Sequence, residues 1–413
     1  MLNQLNFTGN GQSSLALARG AAAVGPTTPR VARAGKGMNK EDARGVLHEI
    51  FIRSVLLMGL PKHTGTLKEV VFVSRGAAAP MGRIMSFINP RDPGVFGEAQ
   101  TLVGHTGPVG CVTLLDDGRL VSGSDDMTLI VWTADDDGVF KKGQILSGHT
   151  DVVGCVAPLN DGGLVSGSND GKLFVWKKGD DEEFAIVQTL KSQYLEAVRC
   201  VAVLADGRIL SGGEHAGLRV WKKGAMVQTL MRPSGRTGHV QCVAKLKNGS
   251  IVTGHANKTL NVWETEGDDR NFKLVQTLGA AEQTGDGVCC VAPLTLVVND
   301  DFLVSGTGGE FGIGDNTLKV WEKECSYKNT YNRTALLTLS GHSKSVCCVA
   351  QLDDGRIVSG SDDKTLIVWE KGDGGVEAQI LSGHTDGVSC VALLVDGRLV
   401  SGSWDGTLKV WWE

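Results

Sequence analysis

The chain has 413 residues, with 41 Lys and Arg against 46 Asp and Glu, for a net charge of −5. Its 56 glycines and 10 prolines suit many tight turns, and no apolar run is long enough to cross a bilayer as a helix. Residues 1–97 hold 12 basic and 5 acidic side chains, and the remainder 29 and 41. An acidic main body argues against nucleic acid, whose phosphates need basic patches, and for neutral or basic protein partners.

Residues 1–38 contain Arg19, Arg30, Arg33 and Lys36, no acid, and much Ala, Gly and Ser. This composition fits a disordered basic tail, an organellar transit peptide, or a start misassigned upstream of Met38. An extension follows over 39–97. Asn39 caps a helix predicted over about 39–58, with Glu41 and Asp42 near its positive end. Leu47, Ile50, Phe51, Val55 and Met58 recur at helical spacing, and Gly59-Leu60-Pro61 stops it. Residues 68–74 read as a strand.

From residue 98 the chain repeats itself. Gly104-His105 leads to Ser122-Gly-Ser-Asp-Asp126 and Val131-Trp132, and Gly341-His342 leads to Ser359-Gly-Ser-Asp-Asp363 and Val368-Trp369. Corresponding tryptophans fall at 132, 176, 221, 263, 321, 369 and 411, mostly 42–48 residues apart. Each unit reads as short β-rich runs divided by Asp-Gly or Asn-Gly turns, as in Val388–Leu394, Asp396-Gly397, Arg398–Ser401 and Asp405-Gly406. One four-stranded sheet cannot bury both its faces, but sheets stacked radially can.

Residues 98–413 resemble the WD40-repeat family, with G-protein-beta-like repeats. The resemblance implies an all-β, seven-bladed propeller. The chain reaches its end on the third strand of the seventh blade, and Glu98–Val103 matches the outermost strands of other blades. Pairing of the two ends therefore closes the ring. The resemblance also implies a hydrogen-bonded tetrad in four blades. These are His105, Ser122, Asp126 and Trp132; His149, Ser166, Asp170 and Trp176; His342, Ser359, Asp363 and Trp369; and His384, Ser401, Asp405 and Trp411. A His–Asp–Ser group invites a hydrolase reading, but one that recurs four times is structural, so no catalytic residue is assigned.

Three blades depart from this pattern. Tyr194 and His215 replace the tetrad His and Asp in the third, Arg236 and Asn257 do so in the fourth, and the fifth keeps Asp315 but has Thr284 for His. The wide spacing before Trp321 points to insertions near 295–302 and 308–314. These blades are expected to be the least rigid.

Seven of the ten cysteines share one repeat position: 111, 155, 200, 242, 290, 348 and 390. Each lies two residues after its blade's first Val, and strict alternation would put it on that Val's face as a small buried hydrophobe. One packing cysteine per blade suits a reducing compartment, hence a cytoplasmic location, or an organellar one if residues 1–38 are a transit peptide. No Cys-x2-Cys spacing or phosphate loop occurs, so neither metal nor cofactor is expected.

Family geometry implies a binding face formed by the residues flanking the first Val of each unit and the residue before the tetrad Asp. The selected positions are Asp125, Asn169, Arg199, Glu214, His239, Gln241, Asp362, Ser389 and Trp404. Trp404 stands out because its equivalents are Asp125, Asn169, Glu214, Ala256, Gly314 and Asp362. An exposed Trp is a typical interface anchor, and the acidic neighbours favour a partner bearing Lys or Arg. The functional expectation is a non-catalytic scaffold that binds a protein or peptide. The alternatives are a substrate-recognition subunit of a ubiquitin or degradation complex, or an enzyme that uses the propeller as scaffold.

Overall fold

The computed structural model describes residues 95–413, apart from 192–195, 215–216, 232–238, 247, 267–270, 280–286, 295–301, 309–314, 324–329, 333 and 373–374. The tail over 1–38, the helix over 39–58 and the strand over 68–74 lie outside the described residues, as do Tyr194, His215, Arg236, Thr284 and Gly314.

The named elements are all strands, 28 of them, in seven four-stranded antiparallel sheets. Blade 1 comprises β2 (Val109–Leu114), β3 (Leu120–Ser124), β4 (Leu129–Ala134) and β5 (Phe140–Leu146). Blade 2 runs from β6 (Val153–Pro158) to β9 (Phe184–Lys191), and blade 3 from β10 (Val198–Val203) to β13 (Ala225–Leu230). Blades 4, 5 and 6 begin at Val240, Gly287 and Val346. Blade 7 takes β26 (Val388–Leu393), β27 (Leu399–Ser403) and β28 (Thr407–Trp412) from one end of the chain, and β1 (Gly97–Val103) from the other.

The expected closure is therefore present. Glu98 pairs with Trp411, Thr101 with Lys409 and Leu102 with Leu408. Lys409 Nζ donates to Glu98 at 2.7 Å, and Leu102 is buried in the layer between blades 7 and 1. Trp412 stands opposite Gly97, 51 % exposed, with the Arg398 guanidinium 5.6 Å from its ring.

One expectation needs correction. Between Val109 and Cys111 the register slips by one residue, so that Val109 faces Ser124 while Cys111 faces Gly123. The same slip occurs in all seven blades. A bulge breaks the period-two alternation, so the cysteine does not share the valine's face. Val109 packs against blade 7 around Cys390, and Cys111 packs against blade 2 around Val153. The repeated glycine of the Ser-Gly-Ser run follows from this, because a Cβ on Gly123 would lie 2.7 Å from Cys111 Sγ and 2.8 Å from Val153 Cγ1. Burial pushes the Cys200 and Cys390 thiols up to about 12, which makes them poor nucleophiles.

A second inter-blade device lies at the outer rim, and sequence reading missed it. Gln100 on β1 donates to Phe140 O at 2.7 Å and accepts from Phe140 N at 3.0 Å, tying blade 7 to blade 1. Gln144 and Phe184 repeat the pair, as do Gln228 and Phe272, Gln276 and Tyr331, and Gln379 and Phe96. The five aromatic side chains are at most 5 % exposed. Four carry an arginine of the preceding blade over the ring: Arg119, Arg208, Arg356 and Arg398, at 4.9–5.4 Å.

Candidate protein-binding face

In blade 1 the Trp132 indole N–H donates to Ser122 Oγ at 2.9 Å, and Ser122 Oγ lies 2.8 Å from His105 Nε2. His105 Nδ1 is 2.9 Å from Asp126 Oδ2. With the serine hydroxyl donating to Nε2, Nδ1 carries the proton that Asp126 accepts. The sets at His149, His342 and His384 have the same connections, each link 2.8–3.0 Å. All four serines are 0 % exposed, so no substrate reaches their hydroxyls.

The electrostatics agree with a locked neutral ring. Burial pushes the His105, His149 and His384 pKa values down and outweighs the raising effect of their aspartates. For Asp126 burial is the largest single influence and acts upward. Hydrogen bonds from Thr128, the Thr106 N–H and His105 outweigh it and bring the carboxyl to about 2. Asp405 is likewise brought to about 2, burial again opposing the bonds from Thr407, Thr385 and His384.

Blade 4 builds a different network, on a histidine that sequence reading did not select. Trp263 donates to Thr253 Oγ1 at 3.0 Å, and Thr253 Oγ1 lies 2.8 Å from His255 Nε2. Asn261 Nδ2 stands 2.9 Å from the same nitrogen, and Thr277 donates to Asn261 at 2.9 Å. His255 occupies the second-serine position of the repeat, held by Ser124 in blade 1; a histidine there was the available signal. Asn257 keeps the aspartate's bonds to the turn and accepts from the Thr259 hydroxyl and N–H. In blade 5 the indole of Trp321 reaches back 16 residues to Ser305, against 10 in the other blades, which places six extra residues between those strands.

In blades 1, 2, 6 and 7 the tetrad aspartate fixes a tight turn at one end of the blade, and selected loop residues lie at this turn or its equivalent. Asp125 N donates to Pro108 O, Asn169 N to Val152 O, Glu214 N to Ala197 O and Ala256 N to His239 O. Asp362 N donates to Ser345 O and Trp404 N to Gly387 O, all six bonds spanning 2.9–3.3 Å. The loop residue and the residue before the first Val are thus joined within each of these blades. Neighbouring blades also meet: a Cβ on Gly387 would lie 3.2 Å from Asp362 Cα, and one on Gly287 3.0 Å from Ala256 Cα.

The side chains differ in availability. Asp125 and Asn169 are exposed, and His239 and Gln241 are half-buried. Arg199 and Glu214 pair with each other at 2.5 Å, so their charges largely cancel. Ser389 is committed to closure, its Oγ lying 2.5 Å from Val109 O of blade 1 and 3.1 Å from Gly402 O. Cys347 Sγ lies 2.8 Å from Asp362 Oδ1. Asp125 has its pKa raised by burial and then by repulsion from Asp126 and Asp151, a surplus of negative charge. Trp404 is 44 % exposed and its ring lies over Gly387, where a Cβ would come within 2.9 Å of Cε3. Pro108, Val152, Ala197, His239 and Ser345 hold that position in five other blades, so Gly387 is what makes room for the indole. The described residues contain no cluster of His, Cys, Asp and Glu arranged to hold a metal ion, and no helix long and apolar enough to cross a membrane.

The family model "WD domain, G-beta repeat" matches residues 97–133, 140–177, 227–264, 333–370 and 375–411. Ribosome biogenesis protein WDR12 homologs of Drosophila persimilis, Drosophila pseudoobscura pseudoobscura and Drosophila yakuba are each 35 % identical over 92 residues, 20 % of this chain and 22 % of theirs. The chain thus spans about a fifth of the length of the curated relatives it matches. Among solved structures, the WD40 beta propeller domain of Doa1 superposes with a TM-score of 0.60 at 22 % identity, covering 77 % of this chain and 97 % of that one. That likeness is one of fold. With its repeats and its seven four-stranded blades, this chain belongs to the WD40-repeat family.

Proposed function

We propose that the chain is a non-catalytic scaffold that receives a Lys- or Arg-bearing protein segment on the face carrying Trp404. The exposure of Trp404 carries this reading: its backbone bond is the one six blades share, so the turn does not require an indole. Beside it Asp362, and around the ring Asp125, Asp151 and Asp386, offer carboxylates to a cation that the indole face also attracts. Burial of the four tetrad serines supports a role without catalysis.

Affinity capture with the wild-type protein and with Trp404→Ala tests the reading. Loss of bound partner at an unchanged melting temperature is expected, with a cost of about 2 kcal/mol in binding. Capture that Trp404→Ala leaves intact would remove the indole from the interface.

A further inference from the structure

The rim device fails at one junction with half of it still in place. Gln188 on β9 has the place that Gln100, Gln144, Gln228, Gln276 and Gln379 have on their strands, yet no described residue hydrogen-bonds its amide. Those five glutamines are half-buried, and Gln188 is exposed. The register explains the loss. In blade 1 the hairpin between β4 and β5 carries three pairs outward from the tryptophan: Trp132 with Lys142, Thr133 with Lys141 and Ala134 with Phe140. In blade 3 it carries two, Trp221 with Met226 and Lys222 with Ala225. The turn of Lys223 and Gly224, with φ of 49° and 85°, stands where the aromatic pair would be. The turn brings only Gly224 to the Gln188 amide, where a Cβ would collide with Nε2, and no aromatic side chain accompanies it.

The arginine half is missing too. Asp117-Gly118-Arg119 of blade 1 corresponds to Asp161-Gly162-Gly163 of blade 2. Val187 beside Gln188, and Met226 and Val227 just after the turn, are 46–56 % exposed. At the junction of blades 5 and 6 the glutamine itself is replaced by Leu337, so nothing there is left to pair with a backbone.

We propose that the rim between blades 2 and 3 docks an extended segment of a partner protein that presents a Phe or Tyr. The Gln188 amide pairs with that residue's N–H and C=O, and its ring lies on the apolar rim. The chain itself supplies the template, since it makes this contact five times within its own ring. The site lies on the outermost strands, apart from the Trp404 face.

A labelled peptide copying residues 138–144 (Gly-Val-Phe-Lys-Lys-Gly-Gln) serves as probe, titrated into the full chain. Saturable binding is expected, at least tenfold weaker when the peptide's Phe is Ala, at least fivefold weaker in Gln188→Ala, and unchanged in Trp404→Ala. A second variant replaces residues 222–225 with the blade 1 hairpin 133–141, filling the socket in cis; it should retain its circular dichroism spectrum and lose the peptide. Absence of saturable binding up to about 1 mM, or equal affinity for the Ala peptide or for Gln188→Ala, overturns the proposal. So does loss of binding in Trp404→Ala, which would move the peptide to the other face. Self-association of the wild type that the filled variant abolishes would make a second copy the occupant, and would likewise overturn it.

Discussion

Blades 1, 2, 6 and 7 and blade 4 secure the same tryptophan in two ways. In the first group a chain of four groups runs from the indole to an aspartate, and that aspartate also holds the turn at the end of the blade. In blade 4 the histidine stands two residues after the hydroxyl it serves and joins Thr253 to Asn261 within the sheet, while at the turn Asn257 accepts from Thr259. The fold thus requires that the buried indole and hydroxyl be satisfied, and it does not prescribe by which residue. What the tetrad adds is a mechanical link between the sheet interior and the loop at the face.

Three perturbations would sharpen or break this contrast. The largest effect is expected from deleting residues 97–103, which strips β28 of its partner, exposes Leu102's site and frees Lys409. A loss of roughly 5 kcal/mol or more in urea unfolding, read by tryptophan fluorescence, is expected across the ring. A deletion as stable as the parent would mean that closure contributes nothing to the tetrad blades on either side of it.

Next, Asp126→Ala and Asn257→Ala remove residues at one repeat position. Asp126 accepts from His105, the Thr106 N–H, and the Thr128 hydroxyl and N–H, whereas among the described residues Asn257 accepts from Thr259 alone. Losses of about 3 and about 1 kcal/mol are expected. Equal losses in thermal or urea melts would show that the histidine link carries no weight.

The smallest effect is in acid. The folded pKa of His105, His149 and His384 is depressed below the ordinary 6.5, so their unfolded forms bind protons first. Their contribution is complete above that value and declines as pH falls below it. Asp126 and Asp405 contribute above the ordinary 3.8, and that contribution is lost as pH falls toward about 2. Stability measured by urea melts from pH 7 to about pH 2 should fall in two stages. His105→Gln with His149→Gln should shrink the upper stage; an unchanged profile would place its origin outside these two tetrads.

Much of the architecture was legible because it is repetitive. Seven tryptophans near one period, turn pairs at fixed offsets and an outer-strand motif ahead of the first unit determine seven blades and a ring closed by its ends. Each of these signals is local, and the array multiplies it. The turns that bear Asp125, Asn169, Asp362 and Trp404 were likewise readable, since a tetrad aspartate follows each of them.

Changes of register and contacts between residues far apart in sequence emerged only from packing in three dimensions. The bulge after each first valine leaves no residue-type signature, yet it sends valine and cysteine to opposite faces and so defines the layers between blades. The pairing of Gln100 with Phe140 spans 40 residues and crosses from one sheet to the next, so no window on a single blade contains it. His255 matches no tetrad position, and its role follows only from the strand that places it beside Thr253. Trp404 could be singled out from the sequence, but its seat over Gly387 could not, because that contact depends on two loops brought together by the blade. Sequence periodicity determined how many blades there are and where their turns fall; which side chains satisfy one another across those blades was decided by packing.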